Sequence, residues 1–96
     1  MKQYVVTAYD FTDNNALNRR MEARPAHLEG VKLLKHHNNF VAGGAILNDQ
    51  DQMIGSVMIV QFETETLMQQ WLKNDPYVTG QVWEKVDIKP FRQAIV

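Results

Sequence analysis

Residues 53–62, MIGSVMIVQF, constrain this chain more than any other stretch. Side chains along a strand alternate between the two faces of its sheet. Here Val57, Ile59 and Gln61 share one face, and Met58, Val60 and Phe62 share the other. Both faces are largely apolar. With 96 residues, 45% of them hydrophobic, the chain reads as one globular domain over residues 1–96. A chain of this length buries only about 60–65% of the surface its unfolded form exposes, so its core is thin. Helices can cover one face of the sheet, and the sequence has nothing left to cover the second. The expected cover is a second copy packed sheet to sheet, giving a homodimer.

The other elements follow from local pattern. Residues 3–9, QYVVTAY, are β-branched and aromatic and stop at the Asp- and Asn-rich DFTDNN, predicting a first strand and a turn. A helical pattern then runs from Ala16 to about Asn38, with Pro25 inside it. Proline removes a hydrogen bond in a helix interior and is well accepted at a first helical position. The pattern therefore predicts a short helix over about 15–22 and a longer one starting at Pro25. FVAGGAIL (40–47) and MIGSVMIVQF read as a hairpin joined by a polar turn. A helix follows, with Thr64 as its N-cap and Leu67, Met68, Trp71 and Leu72 at helical spacing. DPYVTGQ supplies one more turn before the last strand, VWEKVDIKPF. The predicted class is α+β, a ferredoxin-like βαββαβ arrangement with a four-stranded antiparallel sheet.

Ten basic and eleven acidic residues leave a net charge of −1, which provides no positive field for nucleic acid or anionic membranes. The N-terminal apolar run is too brief for a membrane span or a signal segment, so a cytoplasmic address is expected. The chain has no cysteine, which excludes disulfides, thiolate metal sites and a cysteine nucleophile. His36 and His37 point about 100° apart on a helix and make a poor metal pair. No phosphate-binding glycine loop, GxSxG or HExxH occurs.

Chemistry is sought instead in two proline-marked stretches. In ARPAHLEG, His27 shares a helical stripe with Val31 and Leu34 and so faces the sheet. By pattern alone it is a satisfied core histidine or a general base at the edge of a pocket, imidazole being the group that exchanges protons near neutral pH. In NDPYV, Asp75 is an N-cap or the carboxylate that orients such an imidazole. Arg24 is a solvated helix residue or the cation for a carboxylate or phenolate ligand. Gly43, with Gly44, marks a bulge or a close ligand approach. Ser56 is a plain strand serine or a hydrogen-bonding hydroxyl, and Tyr77 is core or pocket wall.

Taken together, RPAHLEGVKLL, AGGAILNDQDQMIGSVMIVQF and WLKNDPYVTGQVWEKVDIKPF resemble the YCII-related (YciI-like) family along nearly the whole chain. The resemblance implies a ferredoxin-like α+β domain that dimerises through its sheet into an α+β barrel, related in architecture to muconolactone isomerase. It also implies a histidine–aspartate active-site pair at His27 and Asp75, with Gly43 and Ser56 lining the pocket. One characterised branch of the family removes chloride from a chlorinated hydroxyhydroquinone. The expectation is a small-molecule enzyme of isomerase, lyase or dehydrochlorinase type, acting on a cyclic, aromatic or quinoid substrate without metal or redox cofactor. Arg24, Ser56 and Tyr77 would contact the substrate. The alternative is a dimeric domain that binds a small ligand and does no chemistry.

Overall fold

The computed structural model describes all 96 residues. Its elements run β1 (Lys2–Asp10), α1 (Ala16–His36), β2 (Phe40–Leu47), β3 (Met53–Phe62), α2 (Glu65–Asn74), α3 (Pro76–Thr79) and β4 (Trp83–Phe91). The four strands form one antiparallel sheet in the order β2-β3-β1-β4. This is the ferredoxin-like arrangement the sequence predicts.

Side-chain alternation sets the layers. Tyr4, Val6 and Ala8 of β1 and Met58, Val60 and Phe62 of β3 are buried on one face. They form the core with Leu34 of α1, Met68 of α2, Tyr77 of α3 and Trp83 of β4. On the other face Val5 pairs with Ile59 and Thr7 with Val57 across the central strands, and all four are only half-buried. Ala42 and Gly44 continue that face onto β2 and are exposed. The helices thus cover one side of the sheet and leave an apolar strip uncovered on the other.

Local signals hold where the chain turns. The Thr64 hydroxyl accepts from Leu67 N–H at 3.2 Å and opens α2. In the hairpin turn the Asn48 side-chain oxygen accepts from Gln50 and Gln52 N–H at 2.9 and 3.0 Å. Asp75 caps α3, with Pro76 at its first position.

The expected division of the first helical region does not occur: α1 is one helix of 21 residues with Pro25 in its interior. Pro25 leaves the Met21 carbonyl without its N–H partner, a loss that costs a helix interior about 3 kcal/mol when uncompensated. Two features offset it. Met21 and Pro25 lie on the exposed side of the helix, where the freed carbonyl is open to solvent rather than buried unpaired. The helix is also anchored on both sides of the proline, because its buried residues, Ala16, Arg20, His27 and Leu34, keep one continuous helical phase.

Candidate active site

The helix phase that runs through Pro25 carries two polar residues, Arg20 and His27, into the interior. His27 Nδ1 meets both carboxylate oxygens of Asp75, at 2.9 and 3.2 Å. Asp75 Oδ1 also accepts from Tyr77 N–H at 2.9 Å. One carboxylate thus both caps α3 and hydrogen-bonds the His27 ring. Because a carboxylate accepts, Nδ1 carries a hydrogen, and in the neutral imidazole Nε2 keeps the lone pair. Nε2 has no hydrogen-bond partner in the chain. The imidazole stacks on the Tyr77 ring, with centroids 3.9 Å apart and planes inclined by 14°, while the Trp83 ring stands edge-on at 6.1 Å. Packing and hydrogen bonding together allow His27 one orientation.

Arg20 is 2% exposed. Its Nη1 donates to both Asp10 oxygens at 2.9 and 3.0 Å, and its Nη2 donates to Ser56 Oγ at 2.8 Å. The guanidinium carbon lies 4.6 Å from the Tyr77 ring centroid. Trp83 Nε1 also donates to Ser56 Oγ, at 3.2 Å. Burial pushes the Asp10 carboxyl above its usual value even though the Arg20 guanidinium pulls it down. The Tyr77 hydroxyl is likewise pushed up by burial, against the pull of Arg20 and Arg24. It is a neutral hydroxyl at physiological pH.

These groups surround a small cavity of about 110 Å³ whose wall includes Arg20, Arg24, His27, Gly43, Ser56 and Tyr77, with Leu28, Val31, Phe40 and Met58 as its apolar part. Five of the six residues singled out in the sequence thus line one space, and Asp75 stands behind His27. Arg24 is half-buried and makes no ion pair with any acidic group of the chain. Gly43 is required by space: a Cβ there would meet the Val57 carbonyl oxygen at 2.8 Å and Phe40 at 3.2 Å. No cluster of three or more potential metal ligands occurs.

Arg20 and Asp10 were not among the sequence candidates. The signals for them are periodic. Arg20 lies one heptad before His27, a relation hidden when the helix is divided at Pro25. Asp10 continues the alternation Tyr4, Val6, Ala8 but sits in a run that reads as a turn.

Three comparisons place this chain and its fold among known proteins. "Protein YciI" of Escherichia coli O6:H1 is 35% identical over 97 residues, covering 95% of this chain and 97% of that protein. The structure of 5-chloro-2-hydroxyhydroquinone dehydrochlorinase (TftG) from Burkholderia phenoliruptrix AC1100, in complex with 2,5-dihydroxybenzoquinone, superposes with a TM-score of 0.82. It is 21% identical and the match covers 96% of this chain and 95% of that one, a likeness of fold. A dimeric ferredoxin-like protein of unknown function from Jannaschia sp. CCS1 matches at a TM-score of 0.55 and 12% identity, over 97% of this chain and all of the other. The YCII-related domain model matches residues 2–92. With the sheet order, the matched relatives and the family model in agreement, the chain belongs to the YCII-related domain family.

Proposed function

We propose that this protein is an acid–base enzyme acting on a small single-ring substrate, with His27 as the proton-transferring group. The observation that carries this is the His27–Asp75 pair, which leaves Nε2 as the only unengaged imidazole nitrogen at a cavity that also holds an unpaired Arg24. Asp75 keeps the hydrogen on Nδ1 and stabilises the imidazolium formed when Nε2 takes a proton. Arg24 and Ser56 hold substrate oxygens, and Tyr77 supports the imidazole and walls the ring.

A cavity of about 110 Å³ suits one six-membered ring, since about 150 Å³ accommodates benzene comfortably. On a hydroxylated or quinoid ring, His27 removes a proton from carbon or oxygen and the electron pair moves onto a ring oxygen as an enolate. Return of the proton to a ring carbon gives the keto isomer; where that carbon bears a halogen, loss of a second hydroxyl proton supplies the electron pair that expels the halide with its bonding pair, a net loss of HX. Neither outcome needs an oxidant or a reductant. The TftG complex, which carries a chlorinated hydroxyhydroquinone activity and a bound quinone, supports this substrate class by likeness of fold.

The same reading makes the protein a homodimer. The uncovered strip formed by Val5, Val57, Ile59, Ala42 and Gly44 is apolar and continuous across three strands. A second copy packed face to face buries it; the Jannaschia protein of the same fold is described as dimeric. Sedimentation at micromolar concentration should give twice the chain mass, and a monomer would contradict it.

Chloride release from 5-chloro-2-hydroxyhydroquinone tests the catalytic reading. The wild type should release chloride, and His27→Ala and Asp75→Asn should fold and be inactive. Wild-type rates in both variants would leave a ligand-binding domain instead.

A further inference from the structure

The oxygen of Ser56 is engaged by two groups that can only donate. A guanidinium carries no acceptor and stays protonated, and an indole N–H donates only. Arg20 Nη2 at 2.8 Å and Trp83 Nε1 at 3.2 Å therefore occupy both lone pairs of the hydroxyl. Neither donor is free to leave. Arg20 is fixed at its other nitrogen by two bonds to Asp10, and Trp83 is 5% exposed in the core. The remaining capacity of Ser56 is its own hydrogen, and no acceptor of the chain receives it. Ser56 is 3% exposed and borders the cavity.

We infer that Ser56 is a committed hydrogen-bond donor to a ligand oxygen, and that Arg20 and Trp83 are the positioning residues that make it one. The inference rests on the ligand site proposed above and goes further, because it fixes the polarity of one contact. A free serine hydroxyl turns to suit either a donor or an acceptor. This one accepts nothing more, so the site takes an acceptor at that point, best an oxyanion such as a phenolate, enolate or carboxylate. A ligand presenting N–H or ammonium there would leave its donor and the serine hydrogen facing each other, both unpaired in a buried site. The charge on Arg20, relayed through the hydroxyl, strengthens the bond to an anion.

The test is calorimetric binding of three probes that each carry one ring: 2,5-dihydroxybenzoquinone, benzoate and benzylamine. The wild type should bind the two anions and reject benzylamine. Ser56→Ala should weaken anion binding by about tenfold or more, the usual cost of one hydrogen bond to a charged group. Arg20 variants risk unfolding, so Trp83→Phe carries the test of positioning. It frees one lone pair and lets the hydroxyl turn, and should narrow the preference for benzoate over benzylamine in a variant that loses some core packing but still melts cooperatively above the assay temperature. Equal anion affinity in Ser56→Ala, benzylamine binding as tight as benzoate, or no anion binding by the wild type would overturn the inference. Unchanged anion affinity in Ser56→Ala alongside turnover that still needs His27 defeats this inference alone. Ser56-dependent binding with turnover indifferent to His27 defeats only the catalytic reading.

Discussion

His27 Nδ1 lies 2.9 Å from Asp75 Oδ1 across 48 residues of sequence, and the same oxygen accepts the Tyr77 N–H that opens α3. One carboxylate therefore serves a helix terminus and an imidazole together. Asparagine caps helices as well as aspartate does, so Asp75→Asn should keep stability within about 1 kcal/mol of wild type. Its neutral amide stabilises an imidazolium poorly, so activity should fall by about 10²–10⁴-fold. Asp75→Ala loses the cap as well and should cost about 1–3 kcal/mol. Thermal melts alongside rate measurements separate the two effects.

Arg20 and Asp10 form a buried ion pair, with side chains 3% and 5% exposed. Removing one partner strands the other charge, so Arg20→Met should destabilise the fold by about 3–5 kcal/mol. Arg20→Met combined with Asp10→Leu should recover most of that loss, as judged by urea denaturation. Burial already raises the Asp10 carboxyl above its usual value. Between the unfolded and the raised folded value the folded state binds more protons, so this group's contribution to stability declines as pH rises. Without Arg20 the folded value rises further, and Arg20→Met should lose less stability at pH 5 than at pH 8.

Pro25 breaks the hydrogen-bond ladder in the interior of α1. Alanine there would return an N–H to the Met21 carbonyl, at the expense of a more flexible unfolded chain. Pro25→Ala should stabilise the protein by about 1–2 kcal/mol and leave the affinity for 2,5-dihydroxybenzoquinone unchanged. A destabilised variant would show that the proline sets the helix path.

At the start of α1, Arg19 grips Asp13 with two bonds of 2.8 Å each. The side-chain bond from Arg19 is the main cause holding the Asp13 carboxyl down at about 2. A lowered value means that the pair contributes fully above the ordinary aspartate value, about 3.9. That contribution is lost as pH falls from there to about 2. In Arg19→Ala, NMR titration of Asp13 should return toward the ordinary value.

Much of this site was legible without coordinates. The four strands announce themselves by alternation and β-branched residues, and Thr64 and Asp75 by capping chemistry. His27 was found because helical phase turns it toward the sheet, and that phase is the same whether α1 begins at Ala16 or at Pro25. Arg20 was missed for a related reason. A helix divided at Pro25 has no phase to pass backwards from His27, and an arginine on a free short helix reads as solvated. Asp10 was missed because an Asp beside DFTDNN looks like turn chemistry, whereas β1 extends through it and pairs it with Trp83. The proximity of His27 to Asp75 is set by the packing of α3 against α1, which no local pattern encodes.

The most direct measurement is a long-range proton–nitrogen NMR spectrum of the imidazoles, of which the chain has three. In its neutral form His27 should carry its hydrogen on Nδ1, with Nε2 in the unprotonated range. Addition of 2,5-dihydroxybenzoquinone should shift Nε2 strongly and leave Nδ1 bonded to Asp75. A neutral ring with its hydrogen on Nε2 in the free protein, or a ring indifferent to the ligand, would contradict His27 as the base of this site.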